Sequence, residues 1–213
     1  MALFRDLGNQ LGQAEALNDI GVVQQETGDH PAAAVSLRQA LALFRHLGSL
    51  GGQARAFNDL GVVQQEAGGY RAAAASHQRA LVLFRDLGVQ LGQAEALNRL
   101  GELACRTSAP DQARERHTQA LASARDLGAL PEEARALEGL GRACLQDGNP
   151  GEAAVHLTQA LKIYQRVGVP AARRVQQTLE KHRLTSTTPE ASPAAPTSEG
   201  HQPAHVRRTP ESR

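Results

Sequence analysis

The sequence repeats itself with a step of 40 residues. The string LGQAEALN occupies 11–18 and returns two steps later at 91–98, and GVVQQE occupies 21–26 and returns at 61–66. Two series of glycines keep the same step: Gly21, Gly61, Gly101 and Gly141, and Gly8, Gly48, Gly88, Gly128 and Gly168. A unit this short cannot bury its apolar face alone, whereas stacked units share a continuous core. The period therefore predicts an array in which each unit packs on its neighbours.

Each unit is predicted to contain two α-helices. In the first unit, small and apolar residues recur three and four positions apart across 14–21, which is the spacing of one helix face. Gly28 then favours a helix end, and Asp29 can cap a second helix. The third unit has the sequence SAP at 108–110 where the other units have Gly, so we expect a looser turn there.

The composition predicts close packing between these helices. Apolar residues make up 41% of the chain but aromatic residues only 3%, so Ala and Leu must build the core. Both residues have high helix propensity. Small residues at the repeated positions let helix backbones approach one another. A bulky side chain at Gly61 or Gly101 should therefore clash with the partner helix, at a cost of roughly 1–3 kcal/mol.

The repeated positions form a family signature. The first unit shows it as Leu17…Ile20-Gly21…Gly28-Asp29…Ala33…Leu37…Ala40-Leu41, and the later units as Phe57…Leu60-Gly61…Ala73…Ala80, Leu97…Leu100-Gly101…Ala113…Ala120 and Leu137…Leu140-Gly141…Ala153…Ala160. This pattern resembles the tetratricopeptide repeat. The resemblance implies an all-α protein, a right-handed α-solenoid of helical hairpins, with four repeats at about 9–48, 49–88, 89–128 and 129–168.

The length of the repeat narrows the resemblance to particular groups of tetratricopeptide repeat proteins. A step of 40 is longer than the common version, which has about 34 residues. It is similar to the long-repeat subclass found in kinesin light chains and Pins-type polarity adaptors. It is also similar to the repeat arrays at the C-termini of bacterial STAND regulators, which are multidomain ATPase switches.

Both ends of the chain depart from the repeat. Residues 1–8 align with the last turns of a second helix, so they read as the remnant of a preceding repeat. Either this short segment covers the first hairpin, or the chain is a piece of a longer array. Residues 169–184 predict a capping helix with a charged outer face. Residues 185–213 are rich in Pro, Ser and Thr and are predicted to be a disordered tail.

A candidate binding position recurs on the first helices. The resemblance implies that these helices line a concave groove, where Asn side chains often hold a bound peptide backbone. Asn18, Asn58 and Asn98 share one repeat position, and Asp19 and Asp59 lie beside two of them. An amide can both donate and accept hydrogen bonds, so it can pair with a peptide without reading its sequence. The alternative is that these Asn side chains link neighbouring repeats.

Charged residues accompany this position. One helical turn earlier, the four units carry Glu15, Arg55, Glu95 and Arg135 in turn. These alternating charges could pair between adjacent helices or could read the charges of a partner. The alternative is solvated surface charge, which contributes little because exposed pairs are weak.

The two halves of the groove are predicted to differ in charge. The C-terminal half carries Arg99, Arg106, Arg135 and Arg142, and the N-terminal half carries Glu15, Asp19, Glu26, Asp59 and Glu66. A partner with a charge-asymmetric segment follows as a hypothesis. The remaining candidate groove residues are Gln25, Gln65 and Glu138; the last replaces Asn in the fourth unit, so a continuous Asn series is in doubt there.

Histidines and cysteines at corresponding positions are interpreted as core residues. His77 and His117 share one repeat position, and stacked repeats would place them roughly 10 Å apart, too far for one metal ion without other ligands. We therefore expect no metal site and no cofactor. Cys105 and Cys144 form no metal pattern and are expected to be buried thiols.

No enzyme motif accompanies the repeats. The chain lacks GxxxxGK[ST], HExxH, GxSxG and CxxC, so we expect no catalytic activity. A net charge of +1 gives no general attraction for nucleic acid, and no apolar run is long enough to span a membrane. A cytoplasmic location is the expectation.

Two functions remain open from the sequence. The first is a non-catalytic scaffold that binds a partner peptide or helix in its groove. The second is the C-terminal sensor segment of a STAND-type ATP-dependent transcriptional regulator, present as a fragment. Self-association through an uncapped N-terminal edge is a further prediction, because open ends of helical arrays can stack.

Overall fold

In the computed structural model, residues 9–183 are described, and they form nine α-helices and no β-strand. The helices are α1 (Gln10–Glu26), α2 (His30–His46), α3 (Leu50–Glu66), α4 (Tyr70–Asp86), α5 (Gln90–Arg106), α6 (Pro110–Leu127), α7 (Leu130–Gln146), α8 (Pro150–Val167) and α9 (Ala171–Lys181). The prediction of an all-α array of helical hairpins is confirmed. The predicted remnant at 1–8 and the predicted tail at 185–213 lie outside the described residues.

The helices are arranged in two layers. Consecutive helices pack against each other, and the first helices of successive hairpins, α1, α3, α5 and α7, also contact one another. These first helices form an inner layer, and α2, α4, α6 and α8 pack on its outside. The buried residues between the layers are mostly Ala, Leu and Phe, among them Ala54, Leu81 and Phe84. An inner layer built this way presents one face of every repeat to the same side of the molecule.

Turns of three residues connect the helices, except between α6 and α7, where the turn has two residues. Gly28, between α1 and α2, has φ +84°, the left-handed conformation that glycine adopts without strain. Asp29 then caps α2, because its carboxylate accepts a hydrogen bond of 3.1 Å from the Ala32 amide. The turn at 107–109 has the same length, but Ser108 takes the left-handed conformation there with φ 57°. The turn within the third hairpin therefore differs from the turns within the other three hairpins in backbone strain and not in length.

Glycines on the first helices allow the close packing that the sequence predicts. A Cβ atom added at Gly61 would lie 2.5 Å from Cε1 of His77, and one at Gly101 would lie 2.6 Å from Nε2 of His117. Both distances are far shorter than a carbon atom tolerates, so a larger side chain would collide with the second helix. The predicted clash at these two positions is confirmed by this geometry.

The last helix, α9, packs on the preceding hairpin through an apolar stripe. Val175 and Leu179 are buried, whereas Arg173 and Arg174 are exposed. A helix was predicted in this region, within 169–184; its role as a cap stays a prediction. Among residues 9–183, no helix is long and apolar enough to cross a membrane.

Candidate functional site

In the third repeat, the recurring Asn side chain makes all of its hydrogen bonds inside the protein. Asn98 on α5 has no exposed surface. Its amide nitrogen donates to the Glu132 carbonyl oxygen at 3.0 Å and to Glu132 Oε2 at 2.9 Å. Its Oδ1 lies 3.1 Å from Nδ1 of His117. Because the donors of this amide point to Glu132, Oδ1 must be the acceptor and Nδ1 of His117 must carry the proton.

The other two Asn side chains are also buried, with fewer partners. Oδ1 of Asn58 lies 3.1 Å from Nδ1 of His77, within its own hairpin. Asn18 donates to Asp59 Oδ2 of the next repeat at 2.8 Å. Leu37 occupies the repeat position of the histidines in the first hairpin, and Oδ1 of Asn18 is buried without a partner. These contacts favour the structural role of the Asn series, while its role in peptide binding stays a prediction.

The two histidines of this position are neutral. Burial lowers the pKa of His77 and of His117 to about 4. Each ring donates through Nδ1, and each Nε2 is buried without a hydrogen-bond partner. Both histidines are therefore packed in the core, which fits the interpretation from the sequence. In each ring, however, only one nitrogen is hydrogen-bonded and the other has no partner. Neither histidine belongs to a group of three metal-ligating side chains in residues 9–183.

In the fourth repeat, a buried carboxylate takes the Asn position. Glu138 on α7 is 4% exposed. Arg142 donates to it at 2.7 Å, and Arg174 on α9 donates through two nitrogens at 2.9 and 2.8 Å. The Tyr164 hydroxyl on α8 donates to it at 3.1 Å. Burial raises the pKa of Tyr164 well above its ordinary value, and the adjacent Glu138 raises it further.

Four arginines surround a cavity next to this carboxylate. The cavity has a volume of about 170 Å³, and we name it the arginine cavity. Its lining consists of Arg99, Glu102, Cys105, His117, Arg135, Glu138, Gly139, Arg142 and Arg174. Four arginines face two carboxylates, so the lining has a formal surplus of two positive charges. Of the predicted groove residues, the structure brings Arg99, Arg135, Glu138 and Arg142 together here.

Each arginine of the cavity has a carboxylate partner, but the N–H donors outnumber the acceptors. Arg135 pairs with Glu132 at 2.9 Å. Arg99 and Arg106, of which the latter lies outside the cavity lining, approach the same carboxylate, Glu102, at 3.5 and 3.6 Å. Although burial of Glu102 acts in the opposite direction, these two arginines, followed by Arg142 and Arg135, lower its pKa. A guanidinium has five donors, so a single carboxylate leaves most of the donors of two arginines free. The cavity can therefore hold an anionic group.

The N-terminal half of the inner layer has no corresponding cluster among the described residues. Arg55 lies 3.9 Å from Glu15, and both side chains are at least half exposed. Burial raises the pKa of Asp59, which accepts from Asn18. Asp19 is exposed. The described residues thus show an arginine cluster on one side and dispersed charges on the other, while the charge asymmetry of a binding groove stays a prediction.

The remaining predicted residues differ in their surroundings. Gln25 donates to Glu66 of the next repeat at 2.8 and 2.9 Å. Gln65 is 5% exposed, and its Oε1 is buried without a hydrogen-bond partner. Glu95 is half-buried, and burial, followed by the nearby Glu132, raises its pKa.

A model of the tetratricopeptide repeat matches residues 13–86 and 92–166, which together make up more than half of the chain. The chain belongs to the tetratricopeptide repeat family. This repeat fold is a scaffold for protein interaction, and the predicted family is confirmed. No curated protein sequence matches the chain.

Two solved structures share the fold of this tetratricopeptide repeat chain. The apo form of RapI superimposes with a TM-score of 0.71 at 15% sequence identity, over 80% of this chain and 62% of RapI. BtubC (BKLC) from P. vanneervenii superimposes with a TM-score of 0.64 at 16% identity, over 97% of this chain and 89% of BtubC. The chain thus spans less than two thirds of the length of RapI. At these identities, the likeness concerns the fold alone.

The sequence did not indicate the contribution of Tyr164 and Arg174 to the site. Both lie outside the first helices, on α8 and α9, and reach Glu138 across 26 and 36 residues. A signal was present in the acidic residue at a position that is otherwise Asn, because a buried carboxylate requires cationic or hydroxyl partners. Only the three-dimensional arrangement of the repeats shows which residues supply them.

Proposed function

We propose that this chain is a non-catalytic scaffold that binds a segment of a partner protein along the inner layer. The arginine cavity is the observation that supports the proposal. It brings several predicted groove residues, Arg99, Arg135 and Arg142, together on a single concave surface. Arginine recognises carboxylates through paired N–H donors, which gives both orientation and affinity. The partner segment therefore carries acidic side chains where it meets the cavity.

The acidic residues of the N-terminal half orient the partner. Glu15 and Asp19 on α1 are exposed, so they face any segment that extends along the inner layer from the cavity. Opposite charges at the two ends of a groove favour one direction of binding and raise the rate of encounter. A segment that is acidic at one end and basic at the other matches this arrangement.

The test is affinity capture from cells of the source organism, followed by mass spectrometry. We compare the wild-type chain with R99E/R142E, which reverses two charges of the cavity. The matched control is R38E/R85E, which makes the same change in net charge at exposed positions of the outer layer. A genuine groove partner is enriched by the wild type and the control and is lost with R99E/R142E.

The affinity of a captured partner is then measured with the purified proteins. R99E/R142E is expected to weaken binding by roughly ten-fold or more, and added salt should weaken the wild-type complex. Equal affinity of the wild type and R99E/R142E would exclude the cavity as the binding site.

The regulatory alternative stays a prediction. An antibody against residues 185–213 would report the size of the native protein. A band near 22.6 kDa would argue against a STAND-type regulator, and a much larger band would support it.

A further inference from the structure

The fourth hairpin contains a group of metal-ligating side chains that the binding groove does not use. Cys144 lies on α7, and Glu152 and His156 lie on α8. One ligating atom from each residue lies within 4.8 Å of the other two. None of the three lines the arginine cavity. Thiolate, imidazole and carboxylate are the ligands with which proteins bind zinc.

The accessibility of the group suits an ion that enters from solvent. Cys144 is fully buried, His156 is partly buried, and the Glu152 side chain is 55% exposed. The group thus runs from the core to the surface. Nδ1 of His156 is buried without a hydrogen-bond partner, which is a cost that a bound ion can remove.

The other hairpins show that the fold does not require these residues. In the first hairpin, Ser36 occupies the position of His156 and donates to Gln24 Oε1 at 2.8 Å, and Gln24 occupies the position of Cys144. In the second hairpin, Ser76 and Gln64 form the same hydrogen bond, also at 2.8 Å. Ala32 and Ala72 occupy the position of Glu152. A neutral pair therefore suffices to join the two helices at this place.

We propose that Cys144, Glu152 and His156 bind one zinc-type divalent cation between α7 and α8. Tetrahedral coordination places ligand atoms roughly 3.5 Å apart around the ion, so small side-chain rotations close the group onto it. Three protein ligands leave a fourth position for water. The soft thiolate favours zinc over magnesium or calcium, which prefer sets of oxygen ligands.

Binding of the ion displaces one proton. The Cys144 thiol loses its proton to the solvent, the thiolate sulfur bonds to the cation, and no electron is transferred. Burial, followed by the adjacent Glu152, raises the pKa of the Cys144 thiol in the metal-free protein. Metal affinity therefore falls as the pH is lowered. The ion joins the two helices of the last hairpin and stabilises the folded state.

The test uses the full chain, reduced and metal-free, titrated with Co²⁺ as a spectroscopic substitute for Zn²⁺. The wild type is expected to develop a thiolate-to-cobalt charge-transfer band at one ion per chain, and Zn²⁺ should remove the band. C105S is the matched control, because it removes the other buried cysteine, and it should retain the band. Absence of the band in the wild type, or its loss in C105S, would overturn the proposal.

Two variants test the ligands. C144Q/H156S installs the Gln and Ser of the first two hairpins, so it should keep its helical circular dichroism and lose the band. E152A changes an exposed residue to the Ala of the first two hairpins, so it should fold and bind roughly ten-fold or more weakly. A band that persists in folded C144Q/H156S, or unchanged affinity in E152A, would contradict the site.

Discussion

The third and fourth repeats use different chemistry at the same position of the inner layer. In the third repeat, the neutral Asn98 pairs with a neutral histidine and links three helices. In the fourth, Glu138 collects two arginines and a tyrosine hydroxyl, and Leu157 stands where the histidine would be. The polar atoms of Asn98 all have hydrogen-bond partners within the fold. The Glu arrangement sits at the edge of a charged cavity.

This difference separates a structural role from a binding role. An amide with no exposed surface holds the repeats together but has nothing free to offer a partner. A carboxylate shared by two partly exposed arginines leaves guanidinium donors available. The same repeat position can thus stabilise the fold in one repeat and take part in recognition in the next. The side chains that surround it determine which role it has.

The largest expected effect concerns acid stability, because the second and third repeats carry His77 and His117 at a position that is Leu in the first and fourth repeats. The pKa of His77 and of His117 is about 4 in the folded chain, against an ordinary value of 6.5. Between pH 4 and pH 6.5, the unfolded chain therefore binds more protons than the folded chain. Stability is fully present above pH 6.5 and is lost as the pH falls toward 4.

Each histidine is expected to contribute roughly 3 kcal/mol to this loss. Urea unfolding at neutral and acidic pH measures it. The variant H77L/H117L has the Leu of the other two repeats at both positions, so its free energy of unfolding should depend much less on pH in this range. The same pH dependence in H77L/H117L and in the wild type would show that other groups cause the acid sensitivity.

Replacement of the buried Asn side chains should have the next largest effect. N98L leaves Nδ1 of His117 without a partner inside the protein and removes both hydrogen bonds from Asn98 to Glu132, so we expect a loss of about 3 kcal/mol. N18L removes one hydrogen bond, and Asp59, its former partner, is only partly buried and can be hydrated. We expect a loss of about 1 kcal/mol there. Equal losses would indicate that the histidine contact is unimportant.

Much of the fold could be predicted because the repeat is nearly exact. The period of 40, the glycine at every turn but the one at 107–109, and the small residues at Gly61 and Gly101 determine helices, turns and close packing from local rules. The candidate site was less predictable. Arg99, Arg135 and Arg142 were identified from their place on the first helices, but their convergence on one cavity depends on the stacking of repeats.

The part that sequence reasoning missed depends on contacts between elements that do not repeat. Arg174 belongs to the last helix, which breaks the pattern, and Tyr164 occupies a position that is Phe44, Phe84 and Ala124 in the earlier repeats. No period relates these residues to Glu138. Which side chains from other elements contact Glu138 depends on distances in the folded chain. A repeat pattern does not give those distances.

Removal of the negative charge of Glu138 would make the fourth repeat resemble the third, which has a neutral amide at this position. E138Q keeps the size of the side chain and a hydrogen bond with Tyr164, but it loses the charged contact with Arg142 and Arg174. Both arginines are more than a third exposed, so water replaces part of the lost interaction, and we expect a loss of about 1–2 kcal/mol. Thermal unfolding measures it, with E115Q on α6 as an exposed control of the same charge change.

The smallest expected effect concerns the turn of the third repeat, where the chain departs from its own rule. The other three hairpins turn through Gly28, Gly68 and Gly148, each with positive φ, whereas the third turns through Ser108 with φ 57°. A side chain in this conformation costs roughly 1–2 kcal/mol because its Cβ crowds the backbone.

S108G should therefore stabilise the protein, by about 1 kcal/mol once the greater freedom of glycine in the unfolded chain is subtracted. S76G offers the contrast, because it places glycine inside α4 and removes the hydrogen bond to Gln64, so it should destabilise. If S108G were no more stable than the wild type, the strain at this turn would be offset by contacts of the serine side chain, and the third hairpin would not be the weakest of the four turns.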